Sequence, residues 1–254
     1  ENGMFNQPQP IKLYYFTSIF RYERPQSGRL REHHQFGIET LGSHDPELDA
    51  EIISFAWTLL KNIGLPNINL SINSIGDIID RKNFITELYN YYQDSGWNKN
   101  NCADCNKRIT TNALRILDCK NNNCQNHINN APNIMDFLSE ENLKHFENVK
   151  KYLELAKIDY QINNNLVRGL DYYTHTVFEI ISNKDKRQNA IVGGGRYNGL
   201  MEKIGGNDTP GVGFGMGVER VINEIINNKI KLPHNEEKSI LFVYLTDESK
   251  AKAI

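Results

Sequence analysis

The chain has 254 residues, 39% of them hydrophobic and 24% charged, a globular balance with room for more than one domain. A formal net charge of −2 argues against a uniformly basic nucleic-acid binder but leaves room for a local basic patch. No run of about 18 apolar residues occurs, so no membrane span is expected. Residues 1–10 lack the basic-then-apolar order of a secretory signal.

In chain order, residues 12–22 are rich in Tyr, Phe and Ile and predict a strand. Pro25-Gln26-Ser27-Gly28 has turn chemistry. Residues 35–41 predict the returning strand of an antiparallel hairpin, whose long polar loop is full of arginine and histidine. Asp45-Pro46-Glu47 reads as a helix start, with a capping Asp, Pro at the first helical position and acid near the positive end. Leu48, Ile52, Phe55, Ala56, Leu59 and Ile63 follow at helical spacing, and Gly64 stops the helix. Ile68, Leu70 and Ile72 alternate as in a half-buried strand.

Residues 77–142 are polar, rich in Asn and mostly helical in pattern, which predicts an inserted module. A helix over about 140–157 presents Leu143, Phe146, Val149, Leu153 and Ala156, and short strands are expected at 159–162, 176–181 and 189–192. Residues 211–220 are glycine-rich and apolar and open a helix running to about Asn227. After Pro233, residues 240–245 predict one more strand. The expected class is α+β, built on an antiparallel sheet with an insertion.

Four segments carry candidate chemistry. The first is the hairpin with Arg21, Arg24, Arg29 and Arg31, followed by Gln35 and Glu39. Arginine grips phosphate oxygens in a fixed fork, so a polyphosphate held over a sheet needs such an array. A solvated, salt-bridged hairpin is the competing reading. The second is Leu166-Val167-Arg168-Gly169-Leu170-Asp171-Tyr172-Tyr173-Thr174, whose polar groups must be paired or bind something if buried. The third, Gly193-Gly194-Gly195-Arg196-Tyr197, lets a ligand or another backbone come close, or is simply a turn. The fourth is the glycine-spaced run from Gly211 to Gly217, with Arg220 in the first turn of the following helix. There Arg220 opposes the helix dipole, which suggests an anionic ligand, or else a pairing with Glu219. The run is no dinucleotide fingerprint, because no βαβ unit follows it.

These four segments, in this order and spacing, resemble histidyl-tRNA synthetase of the bacterial type, a class II aminoacyl-tRNA synthetase. The hairpin is similar to class II motif 2 and residues 211–220 to motif 3. Residues 167–174 and 193–199 are similar to the two histidine-specific signatures. The resemblance runs from about Tyr14 to about Asn227. It implies a class II antiparallel sheet flanked by helices, with a mostly helical insertion, and an enzyme that activates histidine with ATP and Mg2+ and passes it to tRNA(His). It also implies a cytoplasmic homodimer. Carried over residue by residue, Arg21 and Arg168 act on the α-phosphate, and Arg29 and Arg220 hold the β- and γ-phosphates. His33 lies where adenine stacks, at a position where the family usually has Phe. Gln35 holds the substrate amino group. Glu39 and Tyr173 read the imidazole, with Tyr172 and Tyr197 lining the same pocket.

Motif 1 would precede Glu1 and is expected outside this chain. The implied division is a catalytic core at 1–76 and 143–230, an insertion at 77–142, and a linker with the start of an anticodon-binding domain at 231–254. The competing functions are the synthetase-like regulatory subunit of ATP phosphoribosyltransferase and a pseudo-synthetase that binds uncharged tRNA. Such paralogues tend to lose the phosphate arginines, and Arg21, Arg29, Arg168 and Arg220 are all present here.

Cys102 and Cys105 form a C-x2-C pair, and Cys119 and Cys124 form C-x4-C after 13 intervening residues. This spacing suits a structural zinc, the second pair being slightly wide; four unligated thiols are the alternative. The same stretch, residues 98–127, has Lys99, Lys107, Arg108, Arg115 and Lys120 against Asp104 and Asp118. The resemblance implies that this locally basic insertion approaches the acceptor arm of the tRNA.

Overall fold

The structure, a computed structural model, describes residues 3–22, 30–97, 101–182 and 190–232. Strands β1 (Ile11–Phe20) and β2 (Glu32–Leu41) form the expected hairpin, with Ile11 opposite Leu41 and Phe20 opposite Glu32. Helix α1 (Pro46–Ile63) follows, then β3 (Ile68–Ser74). Next come α2 (Ile78–Asp94), α3 (Ala103–Thr111), α4 (Asn122–Asn129) and α5 (Glu140–Leu155). The chain returns through β4 (Gln161–Ile162), β5 (Thr174–Ser182) and β6 (Ala190–Arg196). A single turn α6 (Leu200–Lys203) leads to β7 (Gly211–Gly217) and α7 (Val218–Asn227). The turn expected at Pro25–Gly28 and the strand expected at 240–245 lie outside the described residues.

The strands make one seven-stranded sheet in the order β1-β2-β7-β6-β5-β3-β4, antiparallel except for the β3–β4 pair. The two faces of this sheet are sorted by side-chain alternation. On one face Phe36, Ile38, Phe178, Ile180, Val192, Val212, Phe214 and Met216 pack with Ile52, Ile53 and Leu60 of α1 and Phe146, Val149 and Leu153 of α5. The other face takes the intervening residues: Gln35, Gly37 and Glu39 of β2, Gly193 and Gly195 of β6, and the four odd-numbered glycines of β7. β7 is therefore half core strand and half bare backbone, as its G-V-G-F-G-M-G sequence requires.

Two ends differ from expectation. Asp45 precedes α1 but its carboxylate caps nothing; Ser43 Oγ donates to it at 2.6 Å, and the carbonyls of Ser43 and Asp45 accept from Arg196 at 2.8 and 3.0 Å. A buried guanidinium thus organises the entry to α1, where the Pro46 start suggested a side-chain cap. The strand expected at 159–162 shortens to two residues, because only Ser71 and Ile72 of β3 pair with it. Gly64 stops α1 as expected, in a left-handed conformation at φ 89°.

Residues 77–142 begin and end close together, at the starts of α2 and α5. Asp77 caps α2 by accepting from the amides of Ile79 and Asp80 at 2.8 and 2.9 Å. Buried Asp80 in turn accepts from Asn142 Nδ2 at 2.7 Å, tying the start of α2 to the start of α5. The apolar residues of this stretch, among them Phe84, Leu88, Tyr92, Ile116 and Ile128, share one cluster with Leu166, Val167, Tyr173, Val177 and Tyr197. Residues 166–173 are therefore packed against the helices of 77–142.

Candidate functional site

The bare glycine face of the sheet carries two adjoining cavities that share Gln35, Arg168, Gly193 and Gly215. One, of about 290 Å³, is lined by Arg21, His33, Glu179, Glu219 and Arg220. The other, of about 440 Å³, is lined by Tyr15, Glu39, Tyr172, Tyr173 and Tyr197. One end is cationic and the other combines a carboxylate with tyrosines.

At the tyrosine end, Tyr197 OH donates to Glu39 Oε2 at 2.5 Å. Burial pushes the Glu39 carboxyl above its usual range, and this hydrogen bond pulls part of the way back. Burial pushes the phenols of Tyr172 and Tyr197 well up, with Tyr173 adding to the shift at Tyr172 and Glu39 at Tyr197. They remain neutral donors at any physiological pH. The Tyr172 ring lies 4.6 Å from that of Tyr173 and 6.1 Å, edge on, from that of Tyr197. Gln35 Nε2 donates to Tyr15 OH at 2.5 Å.

Glycines make room for all of this. A Cβ on Gly213 would fall 1.8 Å from Glu39 Oε2, and one on Gly215 would fall 2.5 Å from Gln35 Nε2. A Cβ on Gly193 would fall 2.5 Å from the Arg168 guanidinium, and one on Gly211 would fall 2.3 Å from the Tyr197 ring. The third and fourth segments of the sequence are thus the floor on which side chains of the first and second lie.

At the cationic end, Arg168 Nη1 donates to Glu179 Oε1 at 2.5 Å, its guanidinium lies 5.7 Å from the Tyr173 ring centre, and its buried Nε has no protein partner. Burial raises the Glu179 carboxyl and Arg168 beside it opposes that shift. Arg21 is anchored by its Nε to the carbonyl of Leu30 at 2.5 Å. Arg220 donates to the carbonyl of Ala190 and faces the same cavity. Glu219 accepts from the His34 amide at 2.9 Å and lies 2.8 Å from His34 Nδ1. His33 presents a ring whose basicity is lowered by burial and by Arg21, and its buried Nδ1 has no protein partner.

Nine of the sequence candidates, Arg21, His33, Gln35, Glu39, Arg168, Tyr172, Tyr173, Tyr197 and Arg220, therefore line one continuous depression. Arg29 lies outside the described residues. Tyr15 and Glu179 line it too and were not anticipated. Strand alternation could have found Tyr15, which stands on a predicted strand in phase with Arg21; no candidate shares the strand predicted around Glu179. Arg196 does not belong to it: fully buried on the opposite face, it donates through Nε to Asp49 Oδ1 at 3.0 Å. Cys102, Cys105, Cys119 and Cys124 are brought together in the 77–142 stretch, apart from both cavities' shared centre, with sulfurs all within 4.8 Å of one another.

The family profile described as Histidyl-tRNA synthetase matches residues 2–221. The chain belongs to this family. The histidine–tRNA ligase of Caldanaerobacter subterraneus subsp. tengcongensis is 47% identical over 250 residues, covering 98% of this chain and 60% of that protein. Apo histidyl-tRNA synthetase of Staphylococcus aureus superposes with a TM-score of 0.74 at 36% identity, over 98% of this chain and 59% of that one. An ATP phosphoribosyltransferase regulatory subunit/histidyl-tRNA synthetase from Bacillus halodurans superposes with a TM-score of 0.62 over 88% of this chain and 60% of that one. At 20% identity it shares the fold. The chain spans about three fifths of the length of the curated relatives it matches. The α+β class II sheet expected from the family is the sheet observed. No described helix is long and apolar enough to cross a membrane.

Proposed function

We propose that the protein to which this chain belongs is a histidine–tRNA ligase, and that this chain supplies the centre where histidine is activated. The observation that carries the proposal is the position of Arg168, on the boundary between a cationic cavity and a cavity lined by a carboxylate and tyrosines. ATP with Mg2+ takes the first and histidine the second. The α-phosphorus and the substrate carboxylate then meet at Arg168.

Glu39 accepts a ring N–H of the histidine imidazole, and Tyr173 and Tyr197 complete the pocket. An apolar look-alike would leave Glu39 with Tyr197 as its sole donor among the described residues and the rest of its acceptor capacity unmet, which is the physical basis of discrimination. Gln35 orients the amino group from the shared wall. Arg21 and Arg168 hold the α-phosphate, and Arg220, with Arg29, holds the β- and γ-phosphates. His33 faces the nucleotide as a weakly basic ring.

A carboxylate oxygen of histidine attacks the α-phosphorus, an O–P bond forms, and the bond to the bridging oxygen breaks. Pyrophosphate leaves with its magnesium. No protein nucleophile is required; positioning and preorganised cations lower the barrier. The adenylate carbonyl is then attacked by a hydroxyl of the terminal ribose of tRNA(His), and AMP leaves. The four thiols take no part in this chemistry. The homodimer, the cytoplasmic location and the approach of the basic 98–127 stretch to the tRNA belong to the same proposal, as does the division into core (1–76, 143–230), insertion (77–142) and C-terminal start (231–254).

The test is ATP–pyrophosphate exchange by the full-length protein. Exchange that depends on histidine is the expected result. A protein that binds histidine but catalyses no exchange would belong with the regulatory paralogues instead.

A further inference from the structure

We infer that Cys102, Cys105, Cys119 and Cys124 hold one structural Zn2+, and that the metal pins the turn bearing Asp118 and Lys120 against the phosphate end of the candidate site. The first half is independent of the proposed function; the second rests on it.

The geometry is that of a tetrathiolate site. The four sulfurs lie within 4.8 Å of one another, and Cys102 Sγ is 3.7 Å from Cys119 Sγ. A regular tetrahedron with a Zn–S bond of about 2.3 Å has sulfur–sulfur edges of about 3.8 Å. A disulfide needs about 2.05 Å and engages only two sulfurs. All four thiols are unbridged.

Backbone donors already surround the sulfurs. The amide of Cys105 points to Cys102 Sγ, that of Cys102 to Cys124 Sγ and that of Asn121 to Cys119 Sγ, each at 3.4 Å. Amides aimed at three of four sulfurs stabilise thiolates and orient them for a metal, as outer partners of a metal site do. The complex of four thiolates with Zn2+ carries a charge of −2, and in the same stretch Lys107, Arg108, Arg115 and Lys120 outnumber Asp104 and Asp118 and offset it.

Helices α3 and α4 themselves bring few side chains to the apolar cluster of this stretch. Helix α3 has nine residues and Cys105 is the only one of them buried; α4 has eight and buries only Cys124 and Ile128. Helices this short are marginal in water, and an amphipathic face must hold them down. Here the cysteines are most of that face. Sulfur-only tetrahedral sites select zinc or iron, and no step of the chemistry at the cavities calls for a redox metal.

The coupling follows from what Cys119 is attached to. Its amide donates to the carbonyl of Ile116 at 2.9 Å and its carbonyl accepts from Gln125 Nε2 at 2.5 Å. Asp118 and Lys120 flank it and line a cavity of about 680 Å³ that also takes in Arg21, Glu179, Ala190 and Arg220, all four of which line the cationic cavity as well. Fixing Cys119 fixes the approach of Lys120 to the same anion.

The experiment uses the full-length protein purified without chelator. Elemental analysis is expected to give about one zinc per chain, and exchange for Co2+ is expected to give the intense visible bands of a tetrahedral thiolate site. Cys119→Ser should lose most of the metal. A metal-free protein whose four thiols all react in the native state, or one loaded with iron, overturns the site. For the coupling, ATP affinity is measured with zinc bound, after zinc removal, and in zinc-loaded Lys120→Ala. A severalfold loss in both altered forms is expected. Unchanged affinity in either overturns the coupling. A zinc-loaded protein that binds no ATP overturns both the coupling and the ATP reading, while the metal count still decides the site.

Discussion

Tyr197 OH lies 2.5 Å from Oε2 of Glu39, and the same oxygen occupies the space that a Cβ on Gly213 would need. Burial pushes the Glu39 carboxyl up, and the Tyr197 hydrogen bond opposes that shift. One donor leaves Glu39 with acceptor capacity to spare, and the imidazole N–H is what the proposed function supplies to it.

Glu39→Gln is therefore expected to weaken histidine far more than ATP, by about 1.5–3 kcal/mol, the usual loss for a hydrogen bond to a charged group. Because the folded pKa of Glu39 is raised, its ionisation opposes folding at neutral pH and the opposition fades as pH falls. Replacing it should leave the thermal midpoint of the ligand-free protein unchanged or higher. Calorimetric titration with each ligand, with a melting curve, checks both. Equal loss for histidine and ATP would contradict the assignment of Glu39.

Two glycines on opposite faces of the sheet should respond differently. In Gly213→Ala the new methyl meets the Glu39 carboxylate and the Ile38 carbonyl oxygen, at 1.8 and 2.5 Å from the Cβ position. The expected result is at least a tenfold rise in KM for histidine with a smaller change in melting point. In Gly194→Ala the methyl points into the core, 2.3 Å from the Gly213 carbonyl oxygen and 2.7 Å from Phe178. There the loss should be in stability, of about 1–3 kcal/mol for overpacking. Steady-state kinetics and denaturant unfolding of the pair separate the two faces.

The buried polar group on the core face sets the acid limit of the fold. Asp49 is fully buried and bonded to Arg196, to Thr176 at 3.2 Å and to His145 at 2.5 Å. Burial alone would raise its pKa; Arg196 and His145 outweigh that and hold it below the carboxylate range. A depressed acid contributes stability above its unfolded pKa of about 4 and loses it as pH falls further. His175, at φ 47° and 5.3 Å from the His145 ring, is lowered to about 4, chiefly by burial. Between its unfolded value of about 6.5 and 4 the unfolded chain binds the extra proton, so stability falls with pH there. Melting temperature is expected to decline from about pH 6.5 downward and to steepen below 4. His175→Asn, which tolerates the left-handed backbone, should flatten the first part. Asp49→Asn should cost about 3–5 kcal/mol by leaving Arg196 buried without its counter-charge. A flat melting profile from pH 7 to 4 would contradict this account.

The hairpin, α1 and the presence of β3 were legible in the sequence because periodicity and turn residues act locally; β3 is not half-buried as its alternation suggested, since Ser71, Asn73 and Ser74 are buried as well. The candidate residues were legible through the family resemblance, not through chemistry alone. Arg196 shows why: Gly193-Gly194-Gly195-Arg196-Tyr197 offers an arginine and a tyrosine to one presumed ligand, yet strand alternation sends Arg196 to α1 and leaves Gly193 under Arg168. The same alternation separates Gly211, Gly213, Gly215 and Gly217 from Val212, Phe214 and Met216. A period-two reading of that run would have shown a floor with no side chains. Glu179 was not legible, because its partner Arg168 is 11 residues away across an irregular segment, and only the folded chain brings them together. Asp45 misled, since its carboxylate is taken by Ser43 rather than by the helix.

Glu179 positions Arg168 by the 2.5 Å contact. Glu179→Gln keeps the shape and removes the charge, so the adenylation rate should fall by about 10-fold, with histidine affinity retained, on the scale of one charge-assisted hydrogen bond. A pH–rate profile is the discriminating readout: a raised carboxyl in the wild type should give an acid limb that the Gln variant lacks. Identical profiles would make Glu179 a packing residue only.

The central claim is that Arg168, shared by the two cavities, stabilises charge as the carboxylate attacks the α-phosphorus. The direct measurement is single-turnover adenylate formation by Arg168→Ala in the full-length protein, at saturating ATP and histidine. Loss of one preorganised donor predicts a rate about 100- to 1000-fold lower, or roughly 3–4 kcal/mol, with a smaller change in ATP affinity and only partial rescue by lysine. A near-normal rate with weakened ATP binding would contradict the claim, because Arg168 would then hold the ground state and not the transition state.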